Sequence, residues 1–143
     1  MAEDILNLMV AQHAFLESIF FIFQNEMKNN SEKAKDSLSE FVWESKKHFF
    51  VEEEVIFNFM AWKEPKILET INQLKIEHSI MIDKLEKMEQ DLSAVSTTEI
   101  ENFYKLLTSH RDIEEKNLYP KLDESLSNSQ KLQIIKRATQ IKK

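Results

Sequence analysis

A chain of 143 residues without a single glycine is barred from many folds and chemistries. Glycine supplies the positive-φ positions of tight hairpins and the close backbone approach of phosphate-cradling loops. Its absence removes the dinucleotide fingerprint, the P-loop, the nucleophile elbow and the EF-hand loop. Cysteine is absent too, which excludes disulfides, iron–sulfur clusters, thiolate zinc sites and thiol nucleophiles and fits a reducing compartment. A net charge of −6 argues against nucleic acid as the main partner. Only the tail, with Lys131, Lys136, Arg137, Lys142 and Lys143, is locally basic, as suits the C-terminal end of a last helix.

Glu3 and Asp4 stand where an export signal would carry basic residues, and the longest unbroken apolar run, Ile19 to Phe23, falls short of the roughly 18 residues of a membrane span. The expectation is a soluble, cytoplasmic protein with no membrane partner, forming one domain over residues 1–143.

Helical periodicity runs through nearly the whole chain, because apolar residues recur at alternating steps of three and four. From about Glu3 to Asn29 the stripe is Leu6, Met9, His13, Leu16, Phe20, Phe23 and Met27. A second segment, with Ser31 as its N-cap, runs to about Phe59 through Leu38, Phe41, Ser45, His48, Glu52 and Val55. The connection Met60 to Glu64 leads to Pro65, suited to a first helical position. A third stripe follows: Ile67, Ile71, Leu74, His78, Met81, Leu85, Met88 and Leu92.

A polar loop, Ser93 to Thr97, precedes Thr98 and Glu101, which have the capping-box form. The fourth stripe is Ile100, Phe103, Leu107, His110, Glu114 and Leu118, with Pro120 expected to stop the helix. A last segment, about Ser129 to Lys142, carries Leu132, Ile135 and Ile141 and is expected to pack across the others. Long helices joined by short loops must be antiparallel neighbours. The expected fold is therefore all-α, an up-down-up-down four-helix bundle with a short C-terminal fifth helix. Apolar residues beyond the stripes (Phe15, Phe21, Ile22, Trp43, Phe49, Phe50, Phe57) suffice to cover the last helix or to form a dimer face. Monomer and homodimer both stay open.

The chain has four histidines, one on each long helix and each on the apolar stripe. At 1.5 Å per residue, His13, His48, His78 and His110 lie about 15, 16, 20 and 14 Å from one end of an antiparallel bundle. They therefore meet at one level. Glu52 and Glu114 each follow a histidine by four residues and fall on the same inward face. Carboxylates in an apolar core are costly unless paired or bound to metal. Imidazoles and carboxylates together suit two divalent ions, with iron and zinc both admissible.

These residues carry a resemblance to the hemerythrin-like, or HHE, domains. The matching elements are His13; the string His48-Phe-Phe-Val-Glu52-Glu53; the pair Glu77-His78; and His110-Arg-Asp-Ile-Glu114-Glu115 leading to Leu118-Tyr119-Pro120. The resemblance implies two iron ions joined by an oxo or hydroxo bridge. It places His13 and His48 on one iron, His78 and His110 on the other, and Glu52 and Glu114 between them. The oxygen-carrying members resemble this pattern but have a fifth histidine one turn away on the third helix. Leu74 and Ile82 stand there instead, so this chain resembles the four-histidine subclass. Glu115 is the alternative to Glu114, because the oxygen carriers place their last carboxylate five residues after the histidine.

Glu44 and Glu77 are candidates for hydrogen bonds to the ligating histidines or for a proton path. Tyr104 and Tyr119 are candidates for redox-active positions or for plain packing, and Leu16, Val55, Leu74, Met81 and Leu107 for the walls of an apolar gas pocket. The leading functional reading is a protein that binds or senses O2, NO or iron, served by a redox partner. The alternative is an enzyme that reduces NO or peroxide, or one that donates iron for iron–sulfur cluster repair. A metal-free interaction module is the third.

Overall fold

A computed structural model describes residues 4–58 and 64–140. Glu3, Phe59, Ile141, Lys142, Lys143 and most of the Met60 to Glu64 connection lie outside the described residues. The elements are α1 (Ile5–Asn29), α2 (Ser31–Phe50) running on into a π-helical stretch (Val51–Phe57), and α3 (Pro65–Gln90) with a following 3-10 turn (Leu92–Ala94). Then come α4 (Thr97–Ile113), a second π-helical stretch (Glu114–Leu118), α5 (Tyr119–Ser125) and α6 (Asn128–Thr139). The first helix packs on α2, α2 on α3, α3 on α4, and the arm beyond α4 returns to α1. This is the expected all-α bundle.

No described residue has a positive φ, in keeping with a chain that has no glycine. The reversals are made by residues that leave the helical region without a positive φ: Asn30 (φ −160°, ψ 94°) between α1 and α2, Asp91 (φ −149°, ψ 75°) after α3, and Leu126 (φ −96°, ψ 142°) before α6. Side chains then satisfy the free helix-end donors. Asp4 accepts from the Asn7 N–H at 2.8 Å. Asp123 reaches from α5 to accept from the Ile5 and Leu6 N–H groups at 2.8 and 3.0 Å.

Two caps differ from the sequence expectation. Asn30, not Ser31, caps α2, accepting from the Lys33 N–H at 3.3 Å. Ser96, not Thr98, caps α4, accepting from the Glu99 N–H at 3.1 Å. In each case a neighbouring small polar residue takes the extended conformation that a cap requires. Pro120 does not stop the helix either. It sits in the first turn of α5, where a missing N–H costs nothing, and the π-helical stretch before it widens the backbone. The final helix starts at Asn128 behind a Ser127/Gln130 capping box and buries Ile134, Ile135 and Ala138, whereas Leu132 is 58% exposed.

The buried residues form two apolar cores. One gathers Ile5, Met9, Val55, Ile71, Leu74, Leu118 and Leu122 under α6. The other gathers Leu16, Phe20, Phe23, Phe41, Met81, Leu85 and Phe103 at the opposite end. All four histidines and the two inward glutamates fall between these cores, so the fold places one polar layer across its own middle. Of the surplus apolar residues, Phe49 and Phe57 are buried, whereas Phe15, Phe21, Ile22 and Phe50 are half exposed. The first helix is long and apolar enough, by length and composition alone, to cross a membrane. A core helix passes the same test, and the inner face of α1 is buried in both cores.

Candidate metal centre

Each long helix delivers one imidazole to the middle layer, on a stripe whose flanking residues (Met9 and Leu16, Leu74 and Met81) are themselves fully or nearly buried. The ring centroids of His13 and His48 are 4.9 Å apart, and those of His78 and His110 are 4.7 Å apart. Phe49 stacks on His78 at 4.0 Å with an interplanar angle of 13°, which fixes that ring. Glu52 and Glu114 are 0% exposed and stand between the pairs. Glu52 Oε1 lies 3.3 Å from His48 Nε2 and 3.1 Å from His78 Nε2. Glu114 Oε1 lies 3.1 Å from His13 Nε2, and Oε2 lies 3.4 Å from His110 Nε2. Two overlapping sets of ligand atoms result, His13, His48, Glu52 and Glu114 and then Glu52, His78, His110 and Glu114, each set within 4.8 Å.

The π-helical stretches begin at or just before these glutamates. In such a turn the N–H bonds five residues back instead of four, and the Tyr119 N–H does so, to the Glu114 carbonyl. That offset brings Tyr119 beneath Glu114, where its hydroxyl donates to Glu52 Oε2 and reaches Glu114 Oε2 at 3.2 Å. Spacings of three and four cannot reveal such a turn. Its only sign in the sequence is the doubled buried pair Leu118-Tyr119 after Glu114-Glu115.

The outward nitrogens are held by a second set of residues. His48 Nδ1 bonds Gln12 Oε1 at 2.7 Å, His78 Nδ1 bonds Glu53 Oε2 at 2.7 Å, His110 Nδ1 bonds Glu77 Oε1 at 2.8 Å, and His13 Nδ1 bonds Glu115 Oε2 at 2.6 Å. Each helix thus supports the histidine of the next, and the circuit closes from the end of α4 back to α1. An Nδ1–H given to an oxygen fixes the tautomer and turns the Nε2 lone pair inward.

Inside the layer, the Nε2 atoms of all four histidines and Oε1 of Glu52 and Glu114 are buried without a hydrogen-bond partner. Native proteins leave few such groups unpaired, and inward lone pairs on imidazole and carboxylate are what a cation satisfies. Held by protein groups alone, the layer settles its charge with protons. Burial and the neighbouring Glu114 push Glu52 well above the ordinary carboxyl range. Glu114, despite its burial, is drawn well below it by Glu52, His110 and His13. Burial lowers His13 and His110, but the Glu114 carboxylate beside them outweighs it, and both end raised. Burial and nearby imidazoles hold His48 well below its usual value.

The model of the hemerythrin HHE cation-binding domain matches residues 4–122. The chain belongs to that family. No curated protein and no solved structure gives a significant match. The unpartnered nitrogens and carboxylate oxygens of this HHE domain fit the cation site that the family description names.

The remaining candidates separate cleanly in this HHE domain. Glu115 turns outward to His13, leaving the inward position to Glu114. Glu77 supports a histidine, but His110 on the next helix and not the adjacent His78. Glu44 does not join the site: it pairs with Lys47 at 3.4 Å on the outer surface. Tyr104 stacks on Phe20 at 6.1 Å in the far core. Gln12 and Glu53 were not anticipated. Their signal is the polar residue adjacent to an inward ligand on every long helix, and only the packing shows which histidine each one serves.

A cavity of about 10 Å³ opens beside His13, His48, His110 and Glu114, walled by Leu16, Phe49 and Leu107. Of the expected pocket walls, Leu16 and Leu107 line it, while Val55 and Leu74 pack below the layer and Met81 belongs to the far core. On its outer side, Arg111 Nη1 bonds both carboxylate oxygens of Glu17 at 2.6 and 2.7 Å.

Proposed function

We propose that this HHE domain holds two iron ions, one between His13 and His48 and one between His78 and His110, with Glu52 and Glu114 shared, and that it binds O2 or NO beside them. The observation that carries the reading is the ring of four buried Nε2 atoms without a hydrogen-bond partner around two carboxylates that each leave Oε1 without one, next to an apolar cavity. Nitrogen and oxygen donors without thiolate suit iron. When bound there, a reduced iron pair would supply the electrons for a diatomic ligand.

The protein residues account for the rest. Gln12, Glu53, Glu77 and Glu115 orient the imidazoles. Tyr119 fixes the two carboxylates from below. The cavity of about 10 Å³ is near the smallest that admits one water-sized molecule, so it selects for size. Leu16, Phe49 and Leu107 offer no hydrogen bonds to water, and the Arg111–Glu17 pair covers the outer side.

The test is the visible spectrum of iron-loaded, anaerobically reduced protein before and after O2 or NO is admitted, with iron per chain measured on the same sample. About two irons per chain and a new band that vanishes on degassing are expected. Protein that binds no iron, or whose spectrum ignores both gases, refutes the reading; an irreversible change on O2 alone moves the function to redox enzymology.

A further inference from the structure

The circuit of supporting residues has one irregular member. Three of the four histidine Nδ1 atoms give their hydrogen to a carboxylate (Glu53, Glu77, Glu115), whereas His48 gives its own to the neutral amide oxygen of Gln12 at 2.7 Å. Divided by cation position, His78 and His110 have two anionic supports. His13 and His48 have one.

We propose that Gln12 makes the two cation positions unequal, so that the one held by His13 and His48 binds its ion more weakly and fills last. The inference rests on the two-ion reading above, but not on the metal being iron or the ligand a gas. A carboxylate that accepts from Nδ1–H pushes electron density through the ring and raises the basicity of Nε2. An amide oxygen in the same place holds the ring equally well without the charge. Hydrogen bonds to ionised partners are roughly twice as strong as neutral ones, and outer partners of this kind are worth about 10–100-fold in metal affinity. The shared groups do not cancel the difference. Tyr119 touches the Glu114 oxygen on the His110 side, but at 3.2 Å and as a neutral donor. Glu52 offers one oxygen to both positions at 3.3 and 3.1 Å.

Gln12→Glu is isosteric and keeps the hydrogen bond, so it changes charge alone. Metal-free protein is titrated with Zn2+ against a chromophoric chelator, and the imidazole nitrogens are followed by 1H–15N NMR. The wild type is expected to fill in two steps about 10–100-fold apart, moving His78 and His110 Nε2 first and His13 and His48 Nε2 second. In Q12E the gap narrows and the preference for His78 and His110 disappears, leaving only the mutual repulsion of two neighbouring cations to separate the steps. Glu53→Gln, the mirror change, weakens the first position and removes the order of filling. Circular dichroism establishes that both variants are folded.

Equal constants in the wild type, first filling at His13 and His48, or an unchanged gap in folded Q12E would each overturn the proposal. A wild-type chain that binds no Zn2+ at all fails differently: it removes the two-ion reading itself, and the inequality with it.

Discussion

Replacing Tyr119 with Phe removes one hydroxyl and little else. The ring is 0% exposed and Phe keeps its shape, so no cavity opens. What goes is a donor to Glu52 Oε2 and Glu114 Oε2, two buried carboxyls of which Glu52 keeps its proton and Glu114 carries the charge. A hydrogen bond to a charged group is worth about 1.5–3 kcal/mol. At roughly 2–4 °C per kcal/mol for a chain near this length, metal-free Y119F should melt about 3–12 °C below the metal-free wild type. With cations bound, the carboxylates have other partners, and the loss should fall to the roughly 0.5–1.5 kcal/mol of an ordinary hydrogen bond. The assay is thermal unfolding by circular dichroism, on chelator-treated and on metal-saturated protein. The drop should be larger in the metal-free protein than in the metal-saturated one. An equal drop in both, or none in the metal-free protein, would show that the hydroxyl does not hold the carboxylates.

Because burial and Glu114 keep Glu52 protonated well above its ordinary range, cation loading must expel that proton. Affinity should therefore rise with pH, and loading should acidify a weakly buffered solution; an affinity unchanged between about pH 6 and pH 8 contradicts this. Asp123→Ala strips the acceptor from the Ile5 and Leu6 N–H groups and should cost about 1–2 kcal/mol in urea unfolding. The metal count per chain should not change, and a lost ion would mean that the α1 start positions the site.

The sequence carried the helices legibly because each stripe couples to one physical demand, burial at steps of three and four. On α3 and α4 the stripes from Ile67 to Met88 and from Ile100 to Leu118 are buried as expected. The level meeting of His13, His48, His78 and His110 followed from the same arithmetic and the rise per residue. Caps were less legible, since runs such as Ser96-Thr97-Thr98 offer adjacent residues of nearly equal capping strength. The π-helical stretches were not legible, because buried Val55-Ile56-Phe57 and Leu118-Tyr119 look like surplus apolar residues until the backbone is seen to widen. Glu77 and Glu44 show the remaining limit. Both are carboxylates near a histidine in sequence, and only lateral packing sends one to His110 and the other to Lys47.

The closed circuit of supports also governs how this molecule divides. The hairpin α1–α2 owns His13, His48 and Glu52; the hairpin α3–α4 and its extension own His78, His110 and Glu114. Within each half one histidine is held by its own hairpin, His48 by Gln12 and His110 by Glu77. The other is held from across the cut, His78 by Glu53 and His13 by Glu115. Neither half alone contains a fully supported pair. A chain severed in the Met60 to Glu64 connection would thus yield two fragments that complete each other's centre only on reassociation, and a duplicated hairpin could not substitute for its missing counterpart without the same reciprocal acids.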